Sequence, residues 1–199
     1  MARRNDHSRE ELREMALTAT RGIVESEGIQ KLTTRSVAKC MGYSVGTLYL
    51  IFHNLDDLIF AVNAQTVGEL RAAIAKNLAN RTDPVERLRA TGRSYLDYAL
   101  ANPNLWRLAF EHRPPADTRI PKAITDETDQ ILDAVLDDLQ ALRPNDDPDD
   151  LLTTAAAFWS GVHGVCHLTL SDTIKFAKVQ SIPAVLERQV DGFIRGCQL

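Results

Sequence analysis

Three groups of residues in this 199-residue chain have types and spacings that can do chemistry. His163 and His167 lie four apart with Cys166 between them, a spacing that a transition metal can use on one helix face. The preferred reading holds no metal: one histidine faces inward as a polar core or ligand contact, and the other lies near the surface. Asp146, Asp147, Asp149 and Asp150 surround Pro148 with carboxylates. That run lacks the glycine and the distal glutamate of a calcium loop. It reads as a helix start, with an N-cap, a proline in the first turn and acids at the positive end of the dipole. The third group is Gly46, Thr47 and Tyr49, following Ser44. Hydroxyls there can bond to phosphates or base edges, and small residues let a helix backbone enter a major groove. No HExxH, nucleophile elbow or phosphate-cradling glycine loop occurs, and the scattered Ser, His and Asp residues make no triad. Nothing speaks for an enzyme, and no cofactor is implied.

The stretch from Thr33 to Phe52 must position the third group. Thr33 is a good N-cap, and Val37, Ala38 and Met41 recur on one helical face. Gly42 stops that helix, because glycine takes the left-handed conformation at no steric cost. Ser44 caps a second helix, expected over 45–52, with Leu48 and Phe52 four apart and facing inward. Val45, Gly46, Thr47 and Tyr49 are left on the other faces. A helix, a tight turn and a helix with small and hydroxyl residues outward are what a helix-turn-helix reader needs. Upstream, Ser8 and Glu11 form a capping box for a helix over 9–27, ended by Gly28. Its stripe of Leu12, Met15, Ala16, Ala19 and Ile23 packs on the helix pair. Arg3 and Arg4 form a short basic arm, read first as a frayed terminus and second as a contact to a DNA backbone or minor groove.

The net charge of −4 alone argues against nucleic acid, but its distribution does not. Met1 to His53 holds eight Lys and Arg against six Asp and Glu, and the remainder holds fifteen against twenty-one. Opposite signs fit one anion-binding end and a body with another task.

Thr33-x-Arg35-x-Val37-Ala38, then Met41-Gly42-Tyr43-Ser44, then Gly46-Thr47-Leu48-Tyr49 and Phe52 resemble the N-terminal signature of TetR-type transcriptional regulators. Several fixed spacings match at once over about one quarter of the chain. The resemblance implies an all-α fold, with a three-helix helix-turn-helix domain over 1–54. A long helix would join it to a larger helical domain over 55–199 for ligand binding and dimerisation. DNA contacts are expected from Thr33, Arg35, Ser44, Val45, Gly46, Thr47, Tyr49 and His53. Three positions depart from the pattern: Val45 replaces a frequent basic residue, Ile51 a polar or aromatic one, and Leu55 a lysine. His53 restores part of the lost charge.

The body reads as helical throughout. Helices are expected from near Leu55 to about Asn80, from Pro84 through Leu100, from Pro103 through Phe110, from Ile124 to Arg143, over 151–170 and over 182–197, with a proline-rich loop from His112 to Pro121. Ala157, Gly161 and Val165 follow one face with Gly164 beside it, and Gly192 and Gly196 are four apart. Each mid-helix glycine costs up to about 1 kcal/mol against alanine, which close approach of another helix would explain. Arg188, Asp191 and Arg195 exclude a membrane reading of the glycine pair. Ala157, Gly161, Gly164, Gly192 and Gly196 are therefore read as a dimer interface, with tight packing inside one subunit as the alternative.

Phe158-Trp159-Ser160-Gly161-Val162-His163-Gly164 also resembles a motif of one branch of TetR-like C-terminal domains. In the wider family the body holds a small-molecule cavity. The candidates to line one here are Tyr95, Tyr98, Trp106, Phe110, Phe158, Trp159 and His163. Aromatic walls with a few polar groups suit an apolar, often aromatic, ligand; the alternative is ordinary core. Three widely spaced cysteines without a CxxC pair suggest reduced thiols in the cytoplasm. No signal peptide and no apolar run of membrane-spanning length, roughly 18 residues, are read in the chain. The expected function is a ligand-responsive transcriptional repressor that binds a pseudo-palindromic operator as a homodimer. The second reading is a helical sensor or interaction protein whose degenerate head no longer binds DNA.

Overall fold

The computed structural model describes residues 7–197. The basic arm with Arg3 and Arg4 lies outside them. Among the described residues the chain forms nine α-helices and no strand. They are α1 (Arg9–Glu27), α2 (Thr34–Met41), α3 (Val45–Tyr49), α4 (Leu55–Leu78), α5 (Pro84–Ala101), α6 (Pro103–Glu111), α7 (Lys122–Leu142), α8 (Pro148–Leu170) and α9 (Ile182–Cys197). Short 3-10 turns cover Ile29–Lys31 and Thr173–Ala177. Among the described residues no helix is long and apolar enough to cross a membrane.

Most helix ends sit where local chemistry puts them. The Ser8 hydroxyl accepts from the Glu11 amide at 3.2 Å, and the Glu11 carboxylate accepts from the Ser8 amide at 2.6 Å. That exchange satisfies two of the orphan donors of a helix start. Thr33 and Ser36 make the same reciprocal pair for α2. The Asp147 carboxylate accepts from the Asp149 amide at 2.9 Å, with Pro148 opening α8. The start of α4 is held by Asn54, whose side-chain oxygen accepts from the Asp57 amide at 2.8 Å.

The second helix of the expected pair is shorter than its hydrophobic spacing suggests: α3 ends at Tyr49, not at Phe52. Beyond it the backbone tightens. The Leu50 amide bonds to the Thr47 carbonyl at 3.2 Å and the Ile51 amide to the Leu48 carbonyl at 3.0 Å, both i to i−3. Phe52 still reaches the interior because its amide bonds back to Leu48 at 3.0 Å.

The contacts divide the chain into two compact units, one of residues up to Val67 together with Asn102–Ile124, the other of Gly68–Ala101 together with residues from Thr125 on. The first unit buries Leu17, Ile23, Val37, Leu48, Phe52 and Leu58 in one core with Leu105 and Leu108 of α6. Polar contacts fix α6 in that unit: the Asn63 amide donates to the Leu108 carbonyl at 3.2 Å, and the Asn104 amide donates to the Glu25 carbonyl at 3.1 Å. His112, just after α6, lies 2.8 Å from the Asp56 carboxylate. In the second unit α5, α8 and α9 pack on one another. Their buried stripes carry Leu88 and Leu96, then Phe158 and Val162, then Leu186 and Val190.

Candidate nucleic-acid interface

The helix-turn-helix is built around Gly42. Its φ of 74° and ψ of 23° place it in the left-handed region that favours glycine, where it caps α2. Ser44 then caps α3, its hydroxyl accepting from the Thr47 amide at 3.1 Å. The Ser44 and Thr47 hydroxyls lie 3.0 Å apart, so one donates to the other. Each keeps hydrogen-bonding capacity for an outside group. Leu48 is buried and fixes the inner face of α3. Gly46 is exposed, and Tyr49 is 52% exposed.

The sequence-predicted DNA residues fall on two adjacent segments. Thr33, Arg35, Ser44 and His53 are exposed, and Val45 is half-buried. The Thr33 hydroxyl is already engaged in capping α2. Ile51 and Leu55 are partly buried and pack against the core of the first unit. Burial thus gives their apolar character a structural reason. Two features were not anticipated. His7 Nδ1 lies 2.6 Å from the Tyr43 hydroxyl, which ties the approach to α1 onto the turn between α2 and α3. Leu50, directly after α3, is 74% exposed.

The proposed ligand residues are divided between the units. Trp106 and Phe110 stand in the first, with ring centroids 5.1 Å apart and Trp106 fully buried. Tyr95, Tyr98, Phe158, Trp159 and His163 stand in the second. There the Tyr95 hydroxyl lies 2.9 Å from His163 Nδ1, and the Trp159 ring is 4.8 Å from the His163 ring. Burial, and then the neighbouring charge of His167, lower the His163 pKa to about 4. A neutral imidazole can accept a hydrogen bond from the Tyr95 hydroxyl. The Tyr98 hydroxyl donates to Glu69 at 2.9 Å, and Phe158 lies against Phe193 with ring centroids 5.2 Å apart. Burial pushes the Cys166 thiol up to about 12, which leaves it protonated and a poor metal ligand at neutral pH. Among the described residues no three His, Cys, Asp or Glu side chains are grouped to hold a metal ion. A surface groove of about 400 Å³ between α5 and α9 is lined by Arg89, Arg93, Leu96, Leu186 and Val190, none of them a sequence-predicted ligand residue.

The glycines of the small-residue stripes differ. A side chain at Gly161 would begin 2.0 Å from the Gln189 amide nitrogen, so α9 of the same chain already fills that space. Among the described residues, Gly164 and Gly196 have no other side chain within 4 Å of an added Cβ, and Gly192 has only an arginine tip at 3.9 Å. Ala157, Gly192 and Gly196 are exposed.

Residues 88–193 match the family of the tetracyclin repressor-like C-terminal domain. The chain belongs to the TetR family of transcriptional regulators. It is 29% identical over 103 residues to the nucleoid occlusion factor SlmA of Haemophilus influenzae, which is 51% of this chain and 47% of that protein. The chain thus spans about half the length of that curated relative. A protein of unknown function from Rhodococcus sp. RHA1 has the same fold, with a TM-score of 0.76 at 20% identity over 98% of both chains. The regulator FadR from Bacillus subtilis, solved in complex with stearoyl-CoA, has a TM-score of 0.67 at 14% identity over 92% of this chain and 98% of that one. The all-α expectation and the TetR-type resemblance agree with these matches.

Proposed function

We propose that this TetR-family regulator is a repressor that binds a pseudo-palindromic operator as a homodimer and is released by a small apolar or aromatic ligand. The head is residues 1–54 and the ligand-binding and dimerisation body is residues 55–199. The observation that carries the reading is the Gly42 turn, which holds α3 with Gly46, Thr47 and Tyr49 on its solvent side. Hydroxyls beside an exposed glycine suit close approach to phosphates and base edges. The charge bias of the first 53 residues supports the same partner.

One short reading helix offers few contacts, so two heads on one assembly are needed for tight binding. The open glycines Gly164, Gly192 and Gly196, with Ala157, are the proposed contact between copies; Gly161 serves α9 of its own chain. A ligand that favours a head spacing unfit for two half-sites lowers affinity by the coupling free energy, typically about 1–3 kcal/mol. Tyr95, Trp159 and His163 are the proposed polar and aromatic end of its site. The stearoyl-CoA bound by FadR makes long acyl chains the first effectors to titrate.

Gly196→Leu tests the assembly. Among the described residues its Cβ meets no other side chain of its own protomer within 4 Å, so the fold should persist. The variant should shift toward monomer by light scattering and lose binding to duplexes selected by the wild type, with an unchanged helical circular-dichroism signal. A variant that stays dimeric and binds normally moves the interface elsewhere. A wild type that retains no sequence from a random duplex library favours the sensor with a silent head.

A further inference from the structure

Leu50 stands out among the apolar residues around the reading helix. Leu48 and Phe52 are buried, and Ile51 and Leu55 pack against the head core. Leu50 does neither, and at 74% exposure it is the most exposed large apolar side chain among the described residues of the head. Its place decides what that means. With φ of −73° and ψ of −18° it continues the helical path beyond Tyr49. It follows Gly46 by four positions, so the two stand about one helical turn apart on the same side. Gly46 presents no side chain there, and its nearest neighbour for an added Cβ is the Ser44 hydroxyl at 3.5 Å. A backbone that comes close to DNA at Gly46 carries Leu50 toward the groove beside it.

Leucine has no donor or acceptor, so it gains nothing from a phosphate. The apolar feature of a major groove is the 5-methyl group of thymine. We propose that Leu50 reads a thymine in each half-site by apolar contact with that methyl group. This inference rests on the proposed DNA-binding role of the head.

The probe is a duplex selected by the wild-type protein from a random-sequence library. Each thymine in it is replaced in turn by deoxyuridine, which pairs identically but lacks the methyl. The wild type should lose about fourfold in affinity at one thymine per half-site, the fold-change that matches removal of one methyl-sized apolar contact. Leu50→Ala should be indifferent to deoxyuridine at that thymine and keep the wild-type response at every other position. Equal responses of wild type and Leu50→Ala at every thymine would overturn the proposal, as would a wild type indifferent to all replacements. If no sequence is selected, the DNA-binding reading itself fails and this inference falls with it. If a sequence is selected but Leu50→Ala reads it as the wild type does, only the assignment of Leu50 fails. The side chain is exposed, so an unchanged circular-dichroism spectrum is expected for the variant.

Discussion

Replacing His163 with Gln should flatten the fall of stability with acid. Burial first, and the charge of His167 second, hold the folded His163 pKa at about 4. An unfolded histidine titrates near ~6.5. The unfolded chain therefore takes up a proton that the folded chain refuses. Stability is full above the unfolded pKa, and it declines as pH falls from about 6.5 toward 4. At about 1.4 kcal/mol per unit, the loss by pH 5 would be about 2 kcal/mol for a fully shielded ring. His163 is only partly shielded from water, and screening reduces the expected loss to about 1 kcal/mol. Urea denaturation at pH 7, 6 and 5, at one fixed protein concentration, measures it. Other titrating groups contribute alike to wild type and His163→Gln, so the difference between the two slopes isolates this ring. The wild type should lose about 1 kcal/mol more than the variant between pH 7 and 5. Parallel curves would mean that the folded protein protonates His163 as readily as the unfolded chain does. The neutral imidazole facing the Tyr95 hydroxyl would then be wrong.

Tyr49→Phe should cost about 1 kcal/mol of operator affinity in an anisotropy titration, the worth of one hydrogen bond, with thermal stability unchanged because Tyr49 is exposed; equal affinity would remove Tyr49 from the interface. Leu55→Lys should steepen the dependence of log K on log salt by up to about 0.9 per added phosphate contact, and an unchanged slope would place this position away from the DNA backbone.

Local chemistry made much of the fold legible. Ser8 with Glu11, Thr33, Gly42 and Asp147 with Pro148 each act within a few residues of themselves, and each holds the helix end read from the sequence. The end of α3 was not legible that way. Leu48 and Phe52 keep the same spacing on a tightened turn as on a helix, so hydrophobic spacing could not see the change after Tyr49. The ligand candidates show a second limit. Aromatic residue types mark capacity for a wall but not which wall they join. Trp106 and Phe110 go with α6, whose Leu105 and Leu108 belong to the core of the first unit. Gly161 shows a third, because the residue that occupies its open side, Gln189, lies on another helix and leaves no trace in the local spacing.

The apolar residues that follow α3 separate by physical cause. Ile51 and Leu55 pack on the core of the first unit, while Leu50 remains outside it. Non-specific DNA binding is almost entirely phosphate neutralisation, so a head short of cations holds random DNA weakly. Base contacts do not need cations, and the exposed or half-buried groups on α3 and directly after it include a glycine, two hydroxyls and a leucine. Such a head lowers the background more than it lowers the specific complex, which raises the ratio of specific to non-specific binding. On this argument the missing positive charge does not by itself speak for a silent head. It fits the proposed dimeric reader, which would depend on base contacts and on its second copy.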